Sequence, residues 1–266
     1  MTGRGDPNGP THPWRLVDTH CHLDRMTNAG EVATRALELD VAVLCTTVGP
    51  DDAQGAQAAF AGYPNVRVAA GLHPWWVAGG TEGERQGARV AEMAASWDLV
   101  GEVGLDFSGA HAGTRQAQLS AFEGIVEACA AHPREGRVLS IHAVRSADIA
   151  LDILERYDMA GNATCIFHWF SGTSADFDRL RRLGCHISVN ERMLASKRGR
   201  EYARQMPLDR LHLETDAPPR LDEAYPAEEL DRSLSRSLDA LARIRGAERE
   251  ELAAHIAQTS SRLLGM

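Results

Sequence analysis

Short apolar runs alternate with amphipathic segments along most of the chain. The runs are rich in β-branched residues, as is typical of buried parallel strands, and apolar residues at helical spacing lie between them. The runs predict eight strands over residues 16–20, 41–48, 66–71, 99–103, 137–142, 163–168, 185–189 and 211–216. The spacing predicts helices over 29–39, 114–131, 147–157, 174–183, 228–245 and 247–264, with a weakly patterned glycine-rich one at 78–87.

This succession predicts one α/β domain with the architecture of a TIM-type (β/α)8 barrel. About eight β-then-α units in roughly 250 residues match that barrel in number and length. The alternative, a doubly wound open sheet, usually carries a Gly-rich phosphate turn after its first strand. Here the first strand ends in DTHCH (residues 18–22) instead. We therefore expect a barrel over residues 15–266, after a flexible Gly/Pro-rich lead-in at 1–14.

Composition narrows the class of protein further. The 266 residues are 44% hydrophobic and carry a formal net charge of −9, which argues against a disordered chain and against a protein that wraps duplex nucleic acid. No apolar run approaches the roughly 20 residues of a membrane-spanning helix. The five cysteines form no CxxC pair and predict reduced, mostly core thiols. We expect a cytoplasmic protein without a membrane partner.

Residues of metal-ligand type lie at the carboxyl ends of five of the predicted strands. His20 and His22 are two apart, so both side chains can point to one side of the first strand. By the same parity, Glu214 and Asp216 are expected on one inward side of the last strand, where two carboxylates need a cation or a shared proton. The complete set of candidate ligands is His20, His22, Glu102, His142, His168 and Asp216.

Each of these residues alone has an ordinary structural explanation, such as a core histidine or a solvated carboxylate. A closed barrel, however, brings the carboxyl ends of its strands to one mouth. Four imidazoles and two carboxylates there can hold two divalent ions and leave room for water. The pattern therefore predicts a two-metal site.

The distribution of lysine favours Glu102 as the group that bridges two ions. Lys197 is the single lysine of the chain, and it follows the seventh predicted strand. Hydrolases that bridge two metals with a modified lysine need that residue inside the barrel, and Schiff-base aldolases need one at a strand end. Neither position holds a lysine here.

Five ordered blocks resemble the TatD family of metal-dependent hydrolases, a branch of the amidohydrolase-like barrels. They are DTHCHLD (18–24), GLHP (71–74), GEVGLD (101–106), HWFSG (168–172) and ETD (214–216), and the resemblance extends from Leu16 to the C-terminus. Residues 140–142, 168–172 and 183–200 also resemble the TatD-like proteins of Qat anti-phage defence clusters.

The resemblance implies a deoxyribonuclease or phosphodiesterase that uses two divalent ions. His20, His22 and Asp216 would bind the first ion, His142 and His168 the second, and Glu102 both. Catalysis would then rest on Asp216 and Glu102, with Asp216 orienting the attacking water or accepting its proton. The ions are expected to be zinc, manganese, nickel or magnesium.

Three further residues are predicted to contact substrate. His73 would face phosphate from the loop after the third strand, where a loop histidine fixed by Pro74 is the alternative. Arg145 stands one place later than the arginine that the family often carries after the strand-5 histidine. Trp169 replaces the family's usual cysteine and could stack on a base or narrow the pocket.

The expected substrate is a DNA end or another nucleotide-type phosphodiester, short or single-stranded. Because the ligand set does not distinguish a phosphorus centre from a carbon centre, hydrolysis of a C–N or ester bond, including aminoacyl-tRNA deacylation, is an alternative. A metal-bound subunit of a defence complex is another. The oligomeric state is not predicted.

Overall fold

All eight predicted strands are present, and they pair in parallel in chain order. The structure, a computed structural model, describes residues 14–266, so nearly all of the predicted lead-in lies outside the described residues. The strands are β1 Leu16–Cys21, β2 Val41–Thr46, β3 Val66–Leu72, β4 Leu99–Asp106, β5 Val138–Val144, β6 Thr164–His168, β7 His186–Val189 and β8 Leu211–Leu213.

The sheet closes where β1 lies beside β8. The Thr19 hydroxyl donates to the Leu213 carbonyl at 3.0 Å, and just beyond β8 the Asp216 N–H donates to the His20 carbonyl at 3.0 Å. Eight parallel strands closed in this way, with helices between them, form a TIM barrel, which confirms the predicted fold. The closing bonds lie at the end of β1 that carries the predicted ligands.

The helices surround this barrel. They are α1 Ala29–Glu38, α2 Pro50–Ala59, α3 Gly80–Ser96, α4 Arg115–Ala131, α5 Ala147–Arg156, α6 Met159–Asn162, α7 Ser174–Arg182, α8 Glu191–Ala195, α9 Lys197–Gln205, α10 Glu229–Arg245 and α11 Arg249–Leu264. None of the helices in residues 14–266 combines the length and apolarity needed to cross a membrane.

Six of the seven predicted helices are confirmed to within a few residues at their ends, the exception being α3, and the pattern does not predict α2, α6, α8 and α9. Helix α2 buries only Pro50, Ala53 and Ala56, so no large apolar side chain marks its inner face. Helix α3 continues to Ser96, well past the predicted end at residue 87. A side chain at Gly87 would place its Cβ 3.0 Å from Ala121 on α4, so the glycine that weakens the helical pattern permits close helix packing.

Arg137 supports the amino-terminal side of β5 from a fully buried position. Its guanidinium donates to the carbonyls of Cys129, His132 and Ala94 at 2.6, 2.8 and 2.8 Å. Those carbonyls belong to the final turns of α3 and α4 or to the residue that follows α4. Helix ends leave carbonyls without intrahelical partners, so one arginine satisfies two helix ends at once.

We expect Arg137→Met to lower the free energy of unfolding by about 3 kcal/mol, because buried carbonyl groups lose their donors. Arg134→Met is the matched control, since Arg134 is exposed and pairs with Asp98 at the surface, where ion pairs contribute roughly 0–1 kcal/mol. Urea titration of the three proteins measures the difference. Equal destabilisation by both substitutions would contradict this role for Arg137.

Candidate metal centre

Glu102 lies at the centre of a group of five imidazoles at the mouth of the barrel. Its carboxylate is fully buried. Oε2 lies 3.0 Å from His20 Nε2 and 3.1 Å from His22 Nε2. Oε1 lies near three further ring nitrogens, at 2.7 Å from His142 Nδ1, 2.8 Å from His168 Nε2 and 3.3 Å from His73 Nε2. Both carboxylate oxygens therefore face several potential metal ligands.

The backbone around Glu102 explains why glycines flank it. Gly104 has a φ of +141°, and a Cβ there would lie 2.1 Å from the His142 carbonyl oxygen. Only a residue without a side chain permits this approach of β4 to β5. The two strands bring Glu102 and His142 side by side.

Asp216 completes the group from the loop after β8. Its Oδ1 lies 3.9 Å from His20 Nε2 and 3.8 Å from His22 Nε2. The expectation that strand parity aligns Asp216 with Glu214 is wrong, because β8 ends at Leu213 and Asp216 has a φ of +55°. The chain turns here, and Asp216 is partly exposed whereas Glu214 is buried.

Hydrogen bonds behind His20 and His22 set which nitrogen faces Glu102. His22 Nδ1 lies 2.8 Å from the Thr46 carbonyl, which can only accept, so Nδ1 carries the proton. His20 Nδ1 lies 2.7 Å from the Ser140 hydroxyl. With Nδ1 engaged in each ring, Nε2 is the nitrogen that faces Glu102, and in the neutral Nδ1–H tautomer its lone pair points into the site, as metal ligation requires.

His142 presents the opposite nitrogen to the site. Its Nδ1 faces Glu102, while Nε2 lies 3.4 Å from Asp106 Oδ2. Asp106 also accepts from the Trp75 indole N–H at 2.6 Å and from the Ser108 N–H at 2.7 Å. A carboxylate behind a ligating histidine orients the ring and increases its basicity.

His168 has Glu214 behind it. Its Nε2 lies 3.1 Å from His142 Nδ1, and its buried Nδ1 has no hydrogen-bond partner, with Glu214 Oε1 the nearby carboxylate oxygen at 3.8 Å. Glu214 is held by the Ser188 hydroxyl and by the Asn190 amide at 2.8 Å. Two ring nitrogens that lie 3.1 Å apart and both face Glu102 fit a site whose histidines ligate a cation.

Three sets of possible ligand atoms, each within 4.8 Å of one another, occur at this mouth: His20, His22 and Asp216; His20, Glu102 and His168; His73, Glu102 and His142. Imidazole and carboxylate donors suit divalent zinc, manganese and nickel. The structure thus brings all six predicted ligands together, and Glu102 belongs to two of the sets.

A backbone hydrogen bond fixes which ring nitrogen of His73 carries the proton. Its Nδ1 accepts the Trp75 backbone N–H at 3.0 Å, so the neutral ring carries its proton on Nε2. Burial lowers the pKa of His73 to about 4, which keeps the ring neutral near pH 7. His73 therefore presents an N–H donor to the site instead of a lone pair, which favours its predicted contact with substrate over metal ligation.

Glu102 and its neighbours have strongly shifted proton affinities. Burial raises the pKa of Glu102, but His73, His168 and His20 outweigh it and bring the pKa well below its usual range. Burial lowers the pKa of His22, but the hydrogen bond and the negative charge of Glu102 raise it to about 9. The pKa of His168 is raised for the same reason. The buried Glu102 carboxylate therefore favours the protonated forms of His22 and His168.

The site opens into a cavity of about 570 Å³. Trp169 lines it, with the Arg192 guanidinium 5.4 Å from the centre of the Trp169 ring. Arg145 does not line it; this residue is exposed, with a φ of +55° at the end of β5. The structure thus brings Trp169 and His73 to the predicted substrate side, but not Arg145.

A family model described as TatD-related DNase matches residues 17–265. The chain belongs to this family. It is 27% identical over 212 residues to the metal-dependent hydrolase YjjV of Escherichia coli K12, covering 77% of this chain and 80% of that protein. It is 28% identical over 199 residues to the 3′-5′ ssDNA/RNA exonuclease TatD of Yersinia pseudotuberculosis, covering 71% and 72%.

Solved structures show the same fold. The crystal structure of the TatD homologue YjjV from E. coli superposes with a TM-score of 0.78 at 22% identity, covering 96% of this chain and all of that one. A TatD-family hydrolase from Entamoeba histolytica superposes with a TM-score of 0.71 at 15% identity, covering 93% and 97%. The TatD resemblance is confirmed, whereas the narrower resemblance to Qat proteins stays a prediction.

Sequence reasoning missed three residues that shape this TatD-family site, Asp106, Trp75 and Arg192, and it placed Glu214 beside Asp216 instead of behind His168. Asp106 lies inside the GEVGLD block, and Glu214 inside the ETD block, but their places behind His142 and His168 become visible only in three dimensions. Trp75 lines the cavity from the segment after β3, and Arg192 lines it from the short helix α8; the pattern predicts neither element. The sequence feature that could have drawn attention to Trp75 is its position directly after the GLHP block.

We expect metal binding to release protons and to tighten as the pH rises from about 6 to about 9. Because the raised pKa values of His22 and His168 keep these rings protonated in the metal-free protein, an ion must displace those protons. Calorimetric titration with Mn²⁺ in buffers of different ionisation enthalpy measures the protons released. The exposed His132→Asn variant is the control, and affinity that does not change with pH would contradict the expectation.

Proposed function

We propose that this protein is a divalent-metal-dependent phosphodiesterase that hydrolyses short or single-stranded nucleic acid, with DNA ends as the main substrate. The observation that carries the proposal is the buried Glu102 carboxylate within 3.3 Å of five imidazole nitrogens. A buried charge in such surroundings is costly as packing alone, but it is suited to holding cations.

The same geometry supports a two-ion centre. Glu102 Oε2 faces His20 and His22, and its Oε1 faces His142 and His168, so each oxygen belongs to a different pair of ligands. We assign His20, His22 and Asp216 to one ion, His142 and His168 to the other, and Glu102 to both. Bound divalent ions lower the pKa of a coordinated water and offset charge on the phosphoryl oxygens.

Asp216 is the group best placed to orient the attacking water and to accept its proton. Both carboxylates line the cavity, but Asp216 is partly exposed whereas Glu102 is fully buried. A carboxylate within hydrogen-bond reach of water can orient it and accept its proton. We assign this role to Asp216, and to Glu102 the role of fixing the distance between the two groups of ligands.

Substrate contacts come from the wall of the cavity. The His73 Nε2–H is a neutral donor suited to a phosphoryl oxygen. Trp169 offers a ring face that is suited to base stacking. Arg145 lies outside the cavity and is a candidate for contact with a more distant phosphate of the bound nucleic acid. The name of the Yersinia relative, a 3′-5′ ssDNA/RNA exonuclease, supports single-stranded nucleic acid as the substrate class.

We expect Asp216→Asn to lower kcat for a single-stranded oligonucleotide by about 10²–10⁴-fold, because the amide cannot accept the proton. Asparagine tolerates the positive φ of this position, so the fold should be retained. The matched control is Asp222→Asn, an exposed carboxylate with a φ of +61° in the same loop. Initial rates with Mn²⁺ and the metal content of each protein are measured together, which separates loss of catalysis from loss of the ion.

Full activity in Asp216→Asn would contradict the role of Asp216. The reaction class is tested on the wild-type protein with a panel of oligonucleotides, amides and aminoacyl esters. Metal-dependent turnover of a C–N or ester substrate without cleavage of any oligonucleotide would overturn the proposed function in favour of the carbon-centre alternative.

A further inference from the structure

A large aromatic ring next to the metal centre is exposed to solvent. Within residues 14–266, Trp75 and Leu37 are the exposed large hydrophobic side chains, at 51% and 37%. Leu37 lies on the outer helix α1, whereas Trp75 lines the cavity that contains Glu102 and His142. An exposed aromatic ring that lines a cavity offers apolar surface to a ligand bound there.

Trp75 is held in one orientation despite this exposure. Its indole N–H donates to Asp106 at 2.6 Å, and Asp106 is buried. Its ring stacks on His111, with centroids 4.9 Å apart and planes 9° apart. Trp76 continues the surface, with its centroid at 6.1 Å and an angle of 18°. We call Trp75, Trp76 and His111 the aromatic shelf.

The aromatic shelf lies directly beside the reacting groups. Asp106, which holds the Trp75 ring, lies 3.4 Å from His142 Nε2, and the Trp75 and His142 ring centres are 6.3 Å apart. His73 contacts Trp75 edge-on at 5.0 Å. A phosphate held at the metal centre therefore has the aromatic shelf within the reach of its own nucleoside.

We propose that the aromatic shelf binds the nucleobase adjacent to the scissile phosphate, with Trp75 as the stacking surface. This inference rests on the proposed function and adds a base-binding subsite to it. An indole fixed by a hydrogen bond loses little conformational entropy when a base stacks on it. Stacking tolerates any base because each has a π-face, so the subsite selects nucleic acid over simple phosphodiesters without reading sequence.

The test removes one base at a time from a single-stranded hexanucleotide, by placing an abasic tetrahydrofuran residue at each position in turn. With the Mn²⁺-loaded wild-type protein we expect one position at which base removal lowers kcat/KM for the first cleavage by about tenfold. In Trp75→Ala the intact hexanucleotide should lose a similar factor, and removal of that base should cost nothing further.

Trp75→Phe separates stacking from support of Asp106. Phenylalanine keeps a ring face but cannot donate to Asp106, so the base-dependent penalty should largely persist. If Trp75 served only to position Asp106 and His142, Phe and Ala variants would slow all hexanucleotides equally. Leu37→Ala, which removes the other exposed large side chain, is the matched control and should leave both rate and base dependence unchanged.

The outcomes distinguish the subsite from the function on which it rests. Cleavage by the wild-type protein without a penalty at any abasic position, or a penalty that survives unchanged in Trp75→Ala, overturns the base-binding subsite alone. If the Mn²⁺-loaded wild-type protein cleaves no hexanucleotide, the proposed function fails and the subsite fails with it.

Discussion

The arrangement at the barrel mouth depends on one electrostatic constraint, the compensation of a carboxylate that is buried completely. Glu102 has no access to solvent, and removing an ionised carboxylate from water costs several kcal/mol even after relaxation. The imidazoles around it offset part of that cost by hydrogen bonding and, where they are protonated, by their positive charge, and bound cations would do the same. Packing alone does not account for so many titratable groups around one acid.

Two layers of residues at the mouth of the barrel stabilise the buried Glu102 carboxylate. An inner layer of histidines faces Glu102, and a second layer of polar groups lies behind it. The Thr46 carbonyl, the Ser140 hydroxyl and the Asp106 carboxylate contact the rings of His22, His20 and His142, and the Glu214 carboxylate lies 3.8 Å behind His168. The inner residues come from β1, β4, β5, β6 and the segments after β1, β3 and β8, so the site is complete only when the barrel is closed. Asp216, whose N–H bonds to the His20 carbonyl, joins the two directly.

Most of the fold and most of the inner layer are predictable from the sequence, for identifiable physical reasons. Buried parallel strands produce continuous apolar runs, so all eight were predictable, as was the convergence of His142 and His168 at their carboxyl ends. Helix α2 was missed because its buried face is built of alanine and proline. The orientation of Glu214 and the exposure of Arg145 depend on turns with positive φ or on strand ends, which periodicity does not encode.

The metal centre is tested most directly by anomalous diffraction from crystals of the wild-type protein grown with Mn²⁺. We expect two anomalous peaks at the barrel mouth, one beside His20 and His22 and one beside His142 and His168, with the Glu102 carboxylate between them. Absence of any peak at Glu102 in fully folded, Mn²⁺-saturated protein, or ions bound only elsewhere on the surface, would contradict this expectation.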